Sequence, residues 1–150
     1  MTLRPSRRLV LALCAACCAV TPGLARSQGL GLARESAVKA AFLYKFGSFV
    51  EWPAGTFRSR YAPLVIGVFG DDAVAAVLEQ ITQGRDIDAR PVTVQRVQGA
   101  DEVGDLHILY AGGPREMRVR ELLGAVRGPV LTVANSSVGG RAIIYFTAEQ

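Results

Sequence analysis

An apolar run, Leu64-Val-Ile-Gly-Val-Phe69, passes straight into Gly70-Asp71-Asp72 and then into a helical pattern, and this junction constrains the fold more than any other stretch. A run without polar alternation suits a strand that meets hydrophobic neighbours on both faces. Asp71 or Asp72 can accept hydrogen bonds from the free amides of a following first turn. Val74, Val77, Leu78 and Ile81 then recur at helical spacing as far as about Gln83, and Gly84 stops the helix. A strand that leads directly into a helix is the opening half of a βαβ unit, whose second strand returns parallel to the first.

The rest of the chain repeats the alternation. Pro91 to Val97 alternates in polarity and reads as a strand near an edge, followed by an acidic link from Gly99 to Gly104. Leu106 to Tyr110, Val130 to Ala134 and Ile143 to Phe146 are further strands. Gly112-Gly113-Pro114 opens a helix from about Arg115 to Val126, with Met117, Leu122, Leu123 and Val126 as its apolar residues. The strongest helical signal comes first, from about Glu35 to Val50. There Val38, Ala41, Phe42, Lys45, Phe46 and Phe49 recur at three- and four-residue spacing, Lys39 and Ser48 face away, and Glu51-Trp52-Pro53 closes the helix. The expected fold class is α/β, with a mainly parallel sheet of about five strands and helices on both faces.

The first 25 residues read as a secretory signal peptide. Arg4, Arg7 and Arg8 precede an apolar run, Leu9 to Val20, too short to span a bilayer, and small residues precede a cut after Ala25. Ser6-Arg7-Arg8-Leu9-Val10-Leu11 is similar to part of a twin-arginine signal, and paired arginines also occur in ordinary leaders, so either route is open. Cys14, Cys17 and Cys18 all lie in the leader and none has a lipobox context. The mature chain would therefore keep no disulfide, thiol nucleophile or cysteine ligand. Three of the seventeen basic residues also go with the leader, leaving fourteen against thirteen acidic ones. A domain so close to neutrality has no electrostatic footprint for nucleic acid. Residues 26–34 read as a flexible lead-in and residues 35–150 as one domain. No later stretch reaches membrane-spanning length, so the mature protein is expected not to span a membrane and to lie outside the cytoplasm.

No group of residues makes a catalytic constellation. His107 is the only histidine and has no second base, nucleophile or ligand near it in sequence, which favours a structural role. Gly67-Val-Phe-Gly70 lacks the full glycine spacing of a dinucleotide-binding turn. Asp71 and Asp72 could hold magnesium but are better explained as helix caps, and Asn135-Ser136-Ser137 is ordinary loop chemistry. The expectation is a non-enzyme with no metal and no cofactor. Phe42, Phe46 and Phe49 would pack in the core or between two copies. Part of that face, continued by Trp52 and Pro53, could instead form a partner surface, because aromatic anchors bury much area at little rotamer cost.

Several blocks carry a family resemblance. Val38-Lys-Ala-Ala-Phe-Leu-Tyr-Lys-Phe46 followed by Phe49-Val-Glu-Trp-Pro53 resembles the opening helix of the YfiR-like family. Pro63 to Asp71, His107 to Tyr110, Pro129 to Val133, and Gly139-Gly140 followed by Ile143 to Phe146 are similar to its later landmarks, in order. The resemblance runs from about Glu35 to Ala148. It implies a Rossmann-like three-layer α/β/α sandwich in the periplasm that represses an inner-membrane diguanylate cyclase by binding its periplasmic sensor region. Cyclic di-GMP output and biofilm behaviour would follow from that complex. Many members place a cysteine directly before the His-Ile-Leu strand, where this chain has Leu106, so thiol-based sensing is not expected here. Members also usually continue into a further strand and helix of about 30 residues, and this sequence ends at Gln150.

The expected partner surface is Tyr44, Lys45, Phe49, Trp52 and Pro53, and the expected partner is the periplasmic region of a membrane diguanylate cyclase or sensor kinase, with a homodimer as a further option. The alternative is a small-ligand-binding module. Doubly wound sheets bind ligands beyond the carboxyl ends of their strands, which here would place Gly70, Asp71, Ala111, Gly112 and Asn135 along the crevice.

Overall fold

The computed structural model describes residues 23–135 and 141–147. The chain divides into two compact units, residues 1–32 and 33–150. The expected leader falls outside the described residues except for its last three positions, as do residues 136–140 of the predicted loop after Asn135.

The elements, in order, are α1 (Gly23–Phe49), β1 (Leu64–Phe69), α2 (Asp72–Thr82), β2 (Asp86–Ile87), β3 (Arg90–Val97), β4 (Ile108–Ala111), α3 (Glu116–Ala125), β5 (Leu131–Asn135) and β6 (Ile144–Phe146). Helix α1 begins at Gly23 and so takes in residues 26–34, where composition predicts a flexible lead-in. A 3-10 turn, Ala100–Glu102, lies within the acidic link before β4.

Six strands form the sheet, in the order β2-β3-β1-β4-β5-β6, one more than the sequence predicts. The β3–β1–β4–β5–β6 pairings are parallel, and only β2 with β3 is antiparallel. The extra strand is the two-residue β2, joined to β3 by Asp88 and Ala89, both with positive φ (52° and 59°). Two consecutive positive φ values make the tight turn whose twist suits a hairpin. Asparagine or glycine usually announces such a turn, and Asp-Ala does not.

Strand β1 is buried on both sides, as its unbroken apolar run requires. Leu64, Ile66 and Val68 join one cluster with Ala40 and Leu43 of α1, Val74 and Leu78 of α2, and Ile108 and Tyr110 of β4. Phe69 and half-buried Val65 join a second cluster with Leu109 of β4 and Val119, Leu122 and Leu123 of α3. Leu43, Leu64, Ile66 and Leu78 have at most 1% of their surface exposed, so each contributes about 2 kcal/mol of hydrophobic transfer. In α3 the inward residues are Val119, Leu122 and Leu123, while Met117, expected among the apolar set, is exposed.

The predicted aromatic stripe of α1 is offset from the buried one. Ser36, Lys39, Ala40, Leu43 and Gly47 are buried, whereas Val38, Phe42 and Phe49 are exposed and Phe46 is half-buried. Lys39, expected to face away, instead lies inside and pairs with Glu35 one turn earlier. The reason is close approach: a Cβ on Gly47 would stand 2.8 Å from Ile87 Cδ1 and 3.2 Å from Leu64 Cδ2. The helix therefore rests on its small residues and turns its phenylalanines to the side, where Phe42, Phe46 and Phe146 meet at centroid distances of 6.1–6.4 Å.

Candidate functional site

Two groups of side chains collect at opposite ends of the parallel strands. At the amino ends, the segment after α1 folds back so that Trp52 and Phe57 pack on His107, the residue just before β4. Phe57 stacks on the imidazole at 4.4 Å and 14°, and Trp52 stands edge-on to it at 5.7 Å. On the other side of Phe57 lies the Arg90 guanidinium, 3.9 Å from the ring centroid. Arg90 also donates to the carbonyls of Ser59 and Ala62, which ties the 53–63 segment to β3.

His107 is held in one tautomer. The Val65 amide donates to its Nδ1 at 3.1 Å, so that nitrogen must stay unprotonated and the ring proton sits on Nε2. Burial lowers the imidazole below its ordinary value, and the Arg90 charge lowers it further; the Thr56 backbone and Asp105 oppose this. Its own amide and carbonyl link β1 and β5, through Val65 O at 3.0 Å and Leu131 N at 2.8 Å. The histidine is a neutral structural link among three strands.

A cleft of about 760 Å³ runs beside this cluster, and Phe49, Glu51, Trp52, Pro53, Phe57, Arg60 and Arg90 are among its walls. Three of the sequence-predicted partner residues, Phe49, Trp52 and Pro53, are therefore brought together. Tyr44 and Lys45 lie outside its lining: the Tyr44 hydroxyl donates to Asp86 O at 3.4 Å, and Lys45 is exposed. Phe49 is 78% exposed. Trp52 is largely packed, and its Nε1 is buried with no hydrogen-bond partner among the described residues. Sequence reasoning missed Phe57 and Arg90. Phe57 sits in a stretch with no periodicity, and only a strand pairing brings Arg90 to it.

At the carboxyl ends, Asp71 caps α2, its Oδ1 accepting from the Val74 amide at 3.1 Å. The buried Tyr110 hydroxyl lies 3.3 Å from Asp71 Oδ2 and 3.1 Å from Asn135 Oδ1, and its one proton serves one of them at a time. Burial pushes the phenol well above its ordinary value, and the Asp71 charge adds to that. Asp71 and Asn135, two of the predicted crevice residues, are thus tied together through Tyr110.

Of the other three, Gly70 and Gly112 lie where β1 and β4 end, and Ala111 is the buried last residue of β4. Gly112 donates to Phe69 O at 2.8 Å. Gly70 and Gly113 (φ +75° and +82°) pack backbone to backbone: a Cβ on Gly70 would stand 2.4 Å from Gly112 O, and one on Gly113 would stand 2.3 Å from Gly70 O. Among the described residues no group of histidine, cysteine and acidic side chains is placed to hold a metal ion, and no helix is long and apolar enough to cross a membrane.

A mainly parallel sheet with an aromatic-walled cleft at its amino edge defines a mixed α/β domain, and its sequence can be placed more closely. The YfiR/HmsC-like family matches residues 36–150, and the chain belongs to that family. No curated protein matches it. The family is one of periplasmic regulators associated with membrane diguanylate cyclases.

Proposed function

We propose that the chain is exported to the periplasm through a cleaved leader and there represses an inner-membrane diguanylate cyclase by binding its periplasmic sensor region. The reading takes the fold as a Rossmann-like three-layer sandwich and the protein as a non-enzyme that acts through the fraction of partner it holds. The family match over residues 36–150 carries it. The exposed ring of Phe49 beside the cleft supports it, because a bulky apolar side chain left in water next to a concave wall suits a protein contact.

The test is co-purification with the membrane diguanylate cyclases of the same cell, together with cyclic di-GMP measured in cells. The expected result is a stable complex and lower cyclic di-GMP, both lost in Phe49→Ser at unchanged protein level. A chain that leaves cyclic di-GMP unaltered when deleted and when overproduced would end the reading.

A further inference from the structure

A second cleft, of about 330 Å³, opens at the carboxyl ends of β1, β3 and β4 on the side of α3. We propose that it binds a small phosphate-bearing molecule. The site is independent of the partner surface, which lies at the opposite ends of the strands.

Topology places the cleft. The chain leaves β1 through α2 toward β3 and leaves β4 through α3 toward β5, yet β1 and β4 are neighbours. Helix α2 belongs to one apolar cluster and α3 to the other. The connections therefore diverge between β1 and β4, and in open α/β sheets ligands enter at that divergence.

The floor of the cleft is backbone. Gly70, Gly112 and Gly113 contribute no side chains, and the mutual approach of Gly70 and Gly113 leaves no space for a Cβ on either.

The walls are cationic. Arg96 of β3 and Arg115 and Arg118 beside and within α3 face one acidic lining residue, Asp72. That carboxylate is already paired, 3.0 Å from Arg96, whose Nε is 2.9 Å from Glu79. Arg118 has one neighbour, Glu121 at 3.9 Å, and among the described residues no side-chain hydrogen bond or ion pair engages the Arg115 guanidinium. One guanidinium, that of Arg115, is thus uncommitted among the described residues, a second is held at 3.9 Å by Glu121, and a third is fixed in the wall. Guanidinium forks match the oxygens of a phosphate group in pairs, and a phosphate monoester suits a lining in which Arg115 is free to turn to it and Arg118 is held only at 3.9 Å. Arg115 is also the N-cap of α3 and supplies no side-chain acceptor, so the first-turn amides add to the positive field. The volume leaves room for a small organic group beyond the phosphate.

The test is thermal shift and calorimetry on the purified chain with glycerol 3-phosphate and with inorganic phosphate, ionic strength being held constant with chloride. Glycerol 3-phosphate is expected to raise Tm, since a ligand of the folded state stabilises it. Arg115→Glu with Arg118→Glu should weaken binding at least about tenfold without lowering the unliganded Tm, and lysine at both positions should restore part of it. Arg34→Glu with Arg85→Glu, the same change in net charge at exposed positions outside both clefts, should leave binding unchanged. Equal shifts with both phosphates would keep the site and reduce its ligand to the phosphate group. No shift with either, an equal shift with chloride alone, or binding that survives the Arg115/Arg118 reversal would overturn the proposal.

Discussion

The phenyl ring of Phe57 lies flat on the imidazole of His107, 4.4 Å between centroids and 14° from parallel, with Arg90 on the ring's opposite face. This stack joins a segment without regular structure to the first residue of the β4 approach. Its outer member is permanently charged and its inner member can become so.

Acid should therefore loosen this end of the molecule. The folded imidazole titrates below the unfolded one, which has its ordinary value of 6.5. At pH above about 6.5 both states are neutral and stability is complete. As pH falls below that value the unfolded chain takes up the proton first, so stability declines until the folded value is passed. Urea midpoints should fall between pH 7 and 5, and His107→Gln should show a flatter profile there. Trp52, the only tryptophan and 5.7 Å from the ring, reports the same window by its emission. Glu79, held low by its hydrogen bond to Arg96, is lost only below the ordinary carboxylate value of 4.5, so the two windows separate.

Phe49 and Trp52 should part company on mutation. Phe49→Ser removes an exposed ring and should change stability by no more than about 0.5 kcal/mol. Trp52→Ala empties a packed position against Phe57 and His107 and should cost about 2 kcal/mol or more. Chemical denaturation measures both. A partner-binding defect in Phe49→Ser alone reports on the interface, whereas one in Trp52→Ala is mixed with lost stability.

Tyr110→Phe should cost about 1–2 kcal/mol, because it keeps the packed ring but leaves Asp71 Oδ2 and Asn135 Oδ1 without their hydroxyl. Equilibrium unfolding tests this. A neutral result would mean that solvent satisfies both acceptors.

Glycine substitutions should separate by location. Gly113→Ala must accommodate both a positive φ and a backbone oxygen 2.3 Å from the new methyl group, and should cost about 3 kcal/mol or more. Gly84→Ala has a positive φ (+66°) but open space around it, and should cost about 1 kcal/mol. Comparable Tm values for the two would contradict the close packing of the β1 and β4 ends.

Much of the fold is legible in the residues themselves. The unbroken run Leu64–Phe69, the aspartates after it and the helical spacing of Val74 and Leu78 each report local demands: two buried faces, free amides, one apolar stripe. Those demands are met within a few residues of chain, so β1 and α2 have the predicted limits to within a residue. The hairpin strand β2 escaped because Asp88-Ala89 adopts a turn that its side chains do not advertise.

Pairing across the sheet decided the rest. The helical period of α1 marks several adjacent stripes, and only contact with Ile87 and Leu64 selected the one through Gly47 rather than the phenylalanines. Likewise Gly70, Asp71, Gly112 and Asn135 look like one crevice when read along the chain. Strand register instead sends Asp71 and Asn135 to Tyr110 and leaves the two glycines to the arginines. Side-chain direction alternates along each strand, so which residues meet at a strand end is set by neighbours distant in sequence, and no local pattern encodes it.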